Sequence, residues 1–168
     1  MKVMFVMRGV SGSGKSTVAR KLADKFDAVI ASQDDYFMED GVYHFNYLKL
    51  SEAAMYCYDT AFQAVMEGRS VVVDNMNLLK SYYSPYVMMA QHQGYKVFLV
   101  QPDFLQPIEN ISEVDEELIM TLAHRNTHGV TQLSLARMFK AYEAPESFDP
   151  PTLKWKEGEE FEIPDLTE

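Results

Sequence analysis

A glycine-rich stretch at residues 9–16, reading Gly-Val-Ser-Gly-Ser-Gly-Lys-Ser, constrains the fold of this chain more than any other feature. It satisfies the pattern G-x-x-x-x-G-K-[ST], in which the glycines let successive backbone N–H groups point at phosphate oxygens. An apolar segment, residues 2–7, precedes it, and residues 15–26 carry apolar side chains at four-residue spacing along one helical face. Strand, loop and helix in this order predict that the loop binds a nucleoside triphosphate.

Two side chains of the predicted loop have particular roles. We expect the Lys15 ammonium to reach the β- and γ-phosphates, and the Ser16 hydroxyl to hold Mg²⁺. The helix that begins at Lys15 adds the positive end of its dipole. The residues predicted to bind the nucleotide are Gly9, Val10, Ser11, Gly12, Ser13, Gly14, Lys15, Ser16 and Thr17.

Beyond the loop, short apolar runs alternate with helical patterns. Residues 28–31, 70–73 and 95–100 have the composition of buried strands. Strands that alternate with helices predict an α/β fold with a mostly parallel sheet of four to five strands and helices on both faces. The further predicted helices cover about residues 51–66, 80–93, 114–125 and 132–143.

Three carboxylates follow predicted strands: Asp34 and Asp35 after the second, and Asp74 after the third. An Asp-Asp pair is more often a turn or a helix cap, but the carboxyl ends of parallel strands are where reactive groups collect. We therefore expect these carboxylates to face the loop, with Asp74 and Ser16 holding Mg²⁺ directly or through water. Asn75 follows Asp74 where a water-polarising Glu would stand, which favours transfer to an acceptor other than water.

Several segments of the chain, in this order, carry a resemblance to a known family. They are residues 8–17, 32–37 (Ser-Gln-Asp-Asp-Tyr-Phe), 74–77 (Asp-Asn-Met-Asn) and 125–130 (Arg-Asn-Thr-His-Gly-Val). Together they resemble the P-loop kinase domain of polynucleotide 5′-hydroxyl kinases. Residues 41–45 and 50–53 are similar to the related stand-alone ATP-binding kinase-like domains.

The resemblance implies a P-loop NTPase three-layer sandwich with a helical lid. It covers residues 1–143 as the kinase domain, with the lid at about 103–131, and leaves 144–168 as a C-terminal tail. The implied reaction is transfer of the γ-phosphate of ATP, or of another nucleoside triphosphate, to a 5′-hydroxyl, with Mg²⁺ as cofactor.

The resemblance also implies residue roles. Asp34 matches the general base, Asp74 an essential active-site Asp, and Arg125 a lid arginine that neutralises charge on the transferring phosphoryl group. Lys15 completes the predicted catalytic set, and a surface helical arginine is the alternative for Arg125. The residues predicted to bind the acceptor are Asp35, Tyr36, Phe37, Tyr43, His44, Asn75, Asn77 and His128.

The aromatic side chains of residues 36–47 have two interpretations: they stack with the bases of an acceptor, or they pack a loop against the core. Phe37 stands where the phage enzyme of the family has an arginine that grips the acceptor's phosphate. Residues 103–117, in the lid, hold six acids and no base. Both departures weaken the case for a long polyanionic acceptor.

The net charge of the chain limits the kinds of partner that it can bind. The chain has 15 basic and 25 acidic residues, a net charge of -10, which excludes an extended basic nucleic-acid-binding surface. The expected partners are a nucleoside triphosphate and either a short 5′-OH nucleic-acid end or a small hydroxyl acceptor. Two alternatives stay open: a kinase of a nucleoside, sugar or antibiotic, and a nucleotide-binding regulatory protein without transfer activity.

The C-terminal segment is the most acidic part of the chain, since residues 143–168 hold nine acids and two bases. Alternation around Trp155 and Phe161, with Gly158 between them, predicts a small hairpin; a disordered acidic tail is the alternative. The only early apolar run, residues 3–7, is too short for a membrane span or signal peptide, and Cys57 has no partner for an internal disulfide. These features predict no membrane partner and a cytoplasmic location.

Overall fold

The computed structural model describes residues 1–166 and is built around one parallel sheet. The sheet has the order β2-β5-β1-β6-β7, and every neighbouring pair in it is parallel. A separate antiparallel hairpin, β3 and β4, projects from the region after β2. The strands are β1 Val3–Met7, β2 Val29–Ala31, β3 Met38–Glu39, β4 Val42–Tyr43, β5 Val71–Val73, β6 Lys96–Pro102 and β7 Thr152–Trp155.

Helices cover both faces of the sheet, which confirms the predicted α/β fold. They are α1 Lys15–Phe26, α2 Gln33–Tyr36, α3 Leu50–Met66, α4 Lys80–His92, α5 Glu116–Arg125 and α6 Gln132–Ala141, with 3₁₀ turns at Tyr47–Lys49 and Ile111–Glu113. Within residues 1–166, none of these helices is both long enough and apolar enough to cross a membrane.

The central strand β1 explains why the sheet needs helices on both sides. Its five residues are all buried, and alternate side chains enter different clusters. Met4 and Val6 pack in the cluster formed with α3 and α4. Phe5 packs in the opposite cluster, with Leu22 of α1 and with Trp155. A third cluster joins α5 and α6 to Val10 of the glycine-rich loop, so the lid is packed onto that loop.

The C-terminal tail differs from the hairpin predicted for it. Within the described residues, Thr152–Trp155 pair in parallel with Leu99–Pro102 of β6 and extend the main sheet, and residues 160–163 form no strand. Trp155 is buried against the α1 face of the sheet, which secures the added strand. The pairing gives partners to the edge of β6, so burial of the ring and completion of the edge outweigh a local hairpin. Residues 167 and 168 of the predicted tail lie outside the described residues.

A fully buried arginine, Arg8, joins β1 to the glycine-rich loop. Its guanidinium lies between the rings of Tyr83 and Tyr142, at 4.7 and 4.6 Å from their centroids. Burial lowers the pKa of Arg8. The side chain donates hydrogen bonds of 2.8 Å each to the carbonyl oxygens of Asn77, Leu78 and Glu143. One cation therefore ties the start of the loop to α4, to the segment after β5 and to the residues that follow α6.

Candidate nucleotide and acceptor site

The glycine-rich loop connects β1 to the N-terminus of α1. Gly12 and Gly14 have φ angles of 78° and 88°, in the left-handed region that glycine adopts without strain. A Cβ at Gly12 would lie 2.5 Å from the carbonyl oxygen of Leu122 in α5, so only glycine permits this approach of the loop to the lid. The loop conformation and the position of the lid thus depend on the same residue.

Lys15 and Ser16, at the start of α1, meet Asp74, which follows β5. The Ser16 hydroxyl donates to Asp74 Oδ2 over 2.9 Å, and the Lys15 ammonium donates to the carbonyl oxygen of Val10 over 3.2 Å. Burial lowers the pKa of Lys15 and raises the pKa of Asp74, although the two opposite charges counteract both shifts. Lys15 and Asp74 are half-buried, so their charges are only partly solvated and act more strongly on a bound anion than they would in bulk water.

These residues fit a triphosphate with Mg²⁺. A hydroxyl and a carboxylate are the oxygen donors that Mg²⁺ prefers, and Mg²⁺ takes its remaining ligands from phosphates and water. Ser16 and Asp74, which are hydrogen-bonded to each other, are the residues that would hold the ion. The buried hydroxyl of Ser13 has no hydrogen-bond partner among the described residues, which leaves a donor available in the loop.

Asp34 follows strand β2 and lies at the same edge of the sheet. Ser32 caps the short helix α2 by accepting a hydrogen bond from the Asp34 backbone N–H over 3.2 Å. The Asp34 carboxylate is exposed, accepts a hydrogen bond from the Tyr43 hydroxyl at Oδ1 over 3.0 Å, and lies 3.8 Å from His128 Nε2 at Oδ2. Burial raises the pKa of Tyr43, so its hydroxyl stays protonated as a donor.

Polar residues next to Asp34 and Asp74 also lie at this edge, and two of them form hydrogen bonds that join the ends of the strands to their neighbours. Burial, together with the charges of Asp34 and Asp74, raises the pKa of Asp35. Asn75 accepts from the Gln33 backbone N–H over 2.9 Å and thereby joins the end of β5 to α2. The side chain of Asn77, which is buried, donates to the carbonyl oxygen of Met7 over 2.8 Å. The two asparagines predicted to bind the acceptor thus have protein partners that fix the edge of the sheet.

His128 reaches the site because Asn126 organises the loop that carries it. The Asn126 side chain accepts hydrogen bonds from the backbone N–H groups of His128 and Val130, over 3.1 and 3.0 Å. It also donates to the carbonyl oxygens of Ala123 and Val130. The His128 ring then lies 4.4 Å from the Tyr43 ring, centroid to centroid. The loop at the end of the lid helix and the β3–β4 hairpin therefore meet over Asp34.

The predicted aromatic residues divide into buried and exposed ones. Phe37 is buried and its ring contacts Tyr36, Tyr43 and Phe45, as expected of a side chain that packs a loop. The Tyr36 hydroxyl hydrogen-bonds Glu52 of α3. His44 is exposed on the hairpin, and so are Phe45 and the adjacent Tyr47.

Arg125 has a partner that the sequence did not indicate. Its guanidinium forms an ion pair with Glu157, just beyond β7, and both side chains are about half exposed. The structure thus brings Lys15, Ser16, Asp74, Asp34 and His128 to one edge of the sheet and directs the Arg125 side chain to the tail. No pattern in the sequence signalled this pair, because its members are 32 residues apart and belong to separate elements.

Comparison with protein families gives one match over most of the chain. The model of the AAA domain family matches residues 4–106, which include the loop, Asp34 and Asp74. Human NEDD4-binding protein 2 is 36% identical over 146 residues, covering 84% of this chain and 8% of that protein. The 2′,3′-cyclic-nucleotide 3′-phosphodiesterase of Pongo abelii is 33% identical over 107 residues, covering 60% of this chain and 24% of that enzyme. The chain thus spans less than a quarter of the length of either relative.

Solved structures share the fold. A gluconokinase from Sinorhizobium meliloti aligns with a TM-score of 0.57 and 21% identity, covering 94% of this chain and 84% of that one. The APS kinase of Mycobacterium tuberculosis in complex with AMPPNP and APS aligns with a TM-score of 0.53 and 17% identity, covering 95% and 91%. The fold is therefore that of P-loop kinases, and the APS kinase structure holds a nucleotide analogue.

Proposed function

The chain belongs to the AAA domain family, and from that membership and the geometry of its site we propose that it is an ATP-dependent kinase acting on the 5′-hydroxyl end of a nucleic acid or oligonucleotide. Its donor is ATP or another nucleoside triphosphate, with Mg²⁺. The catalytic unit is residues 1–143, with the lid at about 103–131, and the described part of the acidic tail, residues 144–166, packs beside it.

The observation that carries the proposal is the separation of two carboxylates at one edge of the sheet. Asp74 is hydrogen-bonded to the Ser16 hydroxyl, the arrangement that suits a metal-holding pair. Asp34 is held by other residues: its Oδ1 accepts from Tyr43, and its Oδ2 lies 3.8 Å from His128 Nε2. A kinase needs one carboxylate at the metal and another that is available to an acceptor hydroxyl.

Each residue has a defined task in the transfer. When bound, Mg²⁺ neutralises phosphate charge and orients the β- and γ-phosphates. Lys15 and the backbone N–H groups of the loop hold the same phosphates. Asp34 Oδ2 accepts the proton of the acceptor hydroxyl as its oxygen bonds to the γ-phosphorus and the bond to the β–γ bridging oxygen breaks. The nucleoside diphosphate leaves, and the exposed Asp34 returns the proton to solvent.

The nature of the acceptor rests on the motifs around Asp34. The Asp-Asp-Tyr, Asp-Asn-x-Asn and Arg-Asn-x-His-Gly segments resemble those of polynucleotide 5′-hydroxyl kinases, and the name of the phosphodiesterase relative gives a nucleotide as its substrate. A small-molecule hydroxyl kinase is the second candidate. It is favoured by the scarcity of basic residues near the acceptor side, where residues 33–50 hold four acids and one lysine.

Replacement of Asp34 by asparagine tests the proposal. We expect Asp34→Asn to lower kcat for transfer by about 10²–10⁴, the contribution of a general base, while the Kd for ATP changes little. Asp24→Asn, a change of the same chemistry on the exposed face of α1, should leave both values unchanged. Single-turnover transfer and equilibrium nucleotide binding separate the two quantities. Undiminished transfer by the Asp34 variant would remove Asp34 from the role.

A further inference from the structure

The β3–β4 hairpin and the turn that follows it expose several large apolar side chains beside Asp34. Phe45 is 55% exposed and Tyr47 is 69% exposed. Nothing in residues 1–166 covers them, although burial of aromatic area is generally favourable. Other exposed apolar side chains on the same segment are Met38, Val42 and Leu48.

The buried ring of Phe37 packs against the hairpin and supports it. Two strands of two residues each have little stability of their own. Phe37 supplies the missing support, since its ring lies 5.3 Å from the Phe45 ring and 6.1 Å from the Tyr43 ring, centroid to centroid. The His44 backbone N–H also donates to the carbonyl oxygen of Phe37 over 2.8 Å. The exposed ring of Phe45 is therefore held in place before any ligand arrives.

Tyr43 joins this aromatic surface to the acceptor position. Its hydroxyl is bonded to Asp34, and its ring is nearly parallel to that of Phe45, with 17° between the planes and 6.3 Å between the centroids. The Tyr43 side chain thus lies between the Asp34 carboxylate and the Phe45 ring. In a nucleotide, one sugar separates the 5′-hydroxyl from the base.

The side-chain charges of the hairpin region argue against phosphate contacts as the main source of acceptor affinity. Besides Lys49, the segment 33–50 offers only His44 as a side chain able to become cationic, and it carries Asp34, Asp35, Glu39 and Asp40. Arg125 is paired with Glu157. An acceptor approaching the hairpin meets rings, carboxylates and the His128 side chain beside Tyr43, so stacking with a planar group is the main attraction available to it.

We propose that the exposed part of the Phe45 ring, together with the exposed Tyr47 two residues later, is a stacking platform for an unpaired base next to the reacting 5′-hydroxyl. The proposal rests on the proposed function and assigns its substrate class, a single-stranded end bound through base stacking. Phe37 is the support of the platform, and Tyr43 links the platform to Asp34. The ends of long duplexes, whose bases are paired, offer this surface less area.

Substitutions at Phe45 test the platform. Phe45→Leu keeps an apolar side chain on Phe37 but removes the ring, and we expect the KM for a 5′-OH oligonucleotide to rise about 5- to 100-fold with little change in kcat. Phe45→Trp should keep or lower that KM, because a larger ring stacks better; a role only in packing would not produce this rescue. Tyr82→Leu, at a tyrosine of α4 that is 60% exposed, is the matched control and should leave the KM unchanged.

Acceptors without bases complete the test. An oligonucleotide that lacks the bases of its first two nucleotides should have a high KM with the natural protein and the same KM with Phe45→Leu. Stacking also predicts weak salt dependence: between about 50 and 200 mM salt, the KM should change by less than about threefold, the effect of one neutralised phosphate on a single strand.

The outcomes distinguish the two proposals. Transfer to oligonucleotides with a KM that is insensitive to Phe45 and to the terminal bases would overturn the platform and leave the kinase intact. A KM that rises steeply with salt would overturn it as well, because phosphate contacts would then supply the affinity. Absence of transfer to every 5′-OH oligonucleotide would overturn the proposed function and the platform together.

Discussion

Asn126 shows how one side chain can build part of a site without entering it. The sequence places it between an arginine and a histidine, and resemblance alone marked this motif as important. The structure supplies the physical reason: the Asn126 side chain donates two hydrogen bonds and accepts two, and these hold the turn that presents His128. This role depends on the path of the local backbone. It could not be predicted from the residue type alone, because asparagine is common in turns of every kind.

Replacing Asn126 by alanine should loosen that turn. The loss of four partly exposed hydrogen bonds, each contributing about 0.5–1.5 kcal/mol, is expected to speed amide hydrogen exchange at His128 and Val130 by at least about tenfold. Asn110→Ala removes a different asparagine cap in the lid and should leave these two amides unchanged. Equal protection in the Asn126 variant and the natural protein would show that the turn is held by other contacts.

The Asp35 carboxylate lowers the stability of the folded protein at neutral pH. Folding raises the pKa of Asp35 above its ordinary value near 3.8, through burial and through Asp34 and Asp74. The native state therefore holds a proton there more tightly than the unfolded state, and the stability from this group falls as the pH rises from about 3.8 through the raised value.

Asp35→Asn should accordingly raise the free energy of unfolding at pH 7 by a few tenths of a kcal/mol, about 0.5, since the side chain is exposed. The gain should disappear below about pH 3.5, where both states carry the proton. Urea titrations at several pH values measure it, with Asp59→Asn on the exposed face of α3 as control. A gain that grows as the pH falls would contradict the sign of the shift.

At the level of elements, the sequence predicted the local patterns and missed one distant pairing. The apolar runs and the amphipathic helices appear within a few residues of their predicted bounds, because each is set by its own side chains. Residues 153–156 were predicted as half of a hairpin, whereas residues 152–155 form β7 on the edge of β6. Local alternation shows that a segment is a strand, but its partner is chosen by the edge available and by the place that buries its large side chain.

Trp155 is the anchor of β7, and its removal should show this. Trp155 is 7% exposed in the cluster with α1, so Trp155→Ala should lower the free energy of unfolding by about 3 kcal/mol, the low end for a large aromatic core residue. Phe148→Ala, at a ring that is 77% exposed, should change it by less than about 0.5 kcal/mol. Urea denaturation followed by circular dichroism measures both, and equal midpoints for the two variants would mean that β7 docks without its tryptophan.

On the scale of the whole molecule, the glycine-rich loop packs against the apolar cluster of α5 and α6. Val10 packs with α5 and α6, Arg8 ties β1 to α4 and to Glu143 after α6, and Gly12 lies close to the backbone of α5. The tail joins this arrangement through Glu157 on Arg125. Part of the acidic tail thus lies next to α5. Its negative charge there opposes the binding of an extended polyanion.

The site divides into a part that the sequence specified and a part that it did not. The loop pattern and the strand-end carboxylates predicted a cluster of Lys15, Ser16, Asp34 and Asp74, because a parallel sheet brings strand ends to one edge. The Arg125–Glu157 pair, the bond from Tyr43 to Asp34 and the burial of Phe37 depend on how separate segments pack. Residue type and spacing do not encode those contacts.

Transfer of labelled γ-phosphate from ATP across a panel of acceptors tests the central claim most directly. The panel holds 5′-OH single-stranded RNA and DNA, nucleosides, sugars and water alone, each assayed with the natural protein and with Asp34→Asn. The account predicts label on the 5′ end of single-stranded oligonucleotides, reduced by about 10²–10⁴ in the variant. Label on nucleosides or sugars alone, or equal transfer by the variant, would contradict it.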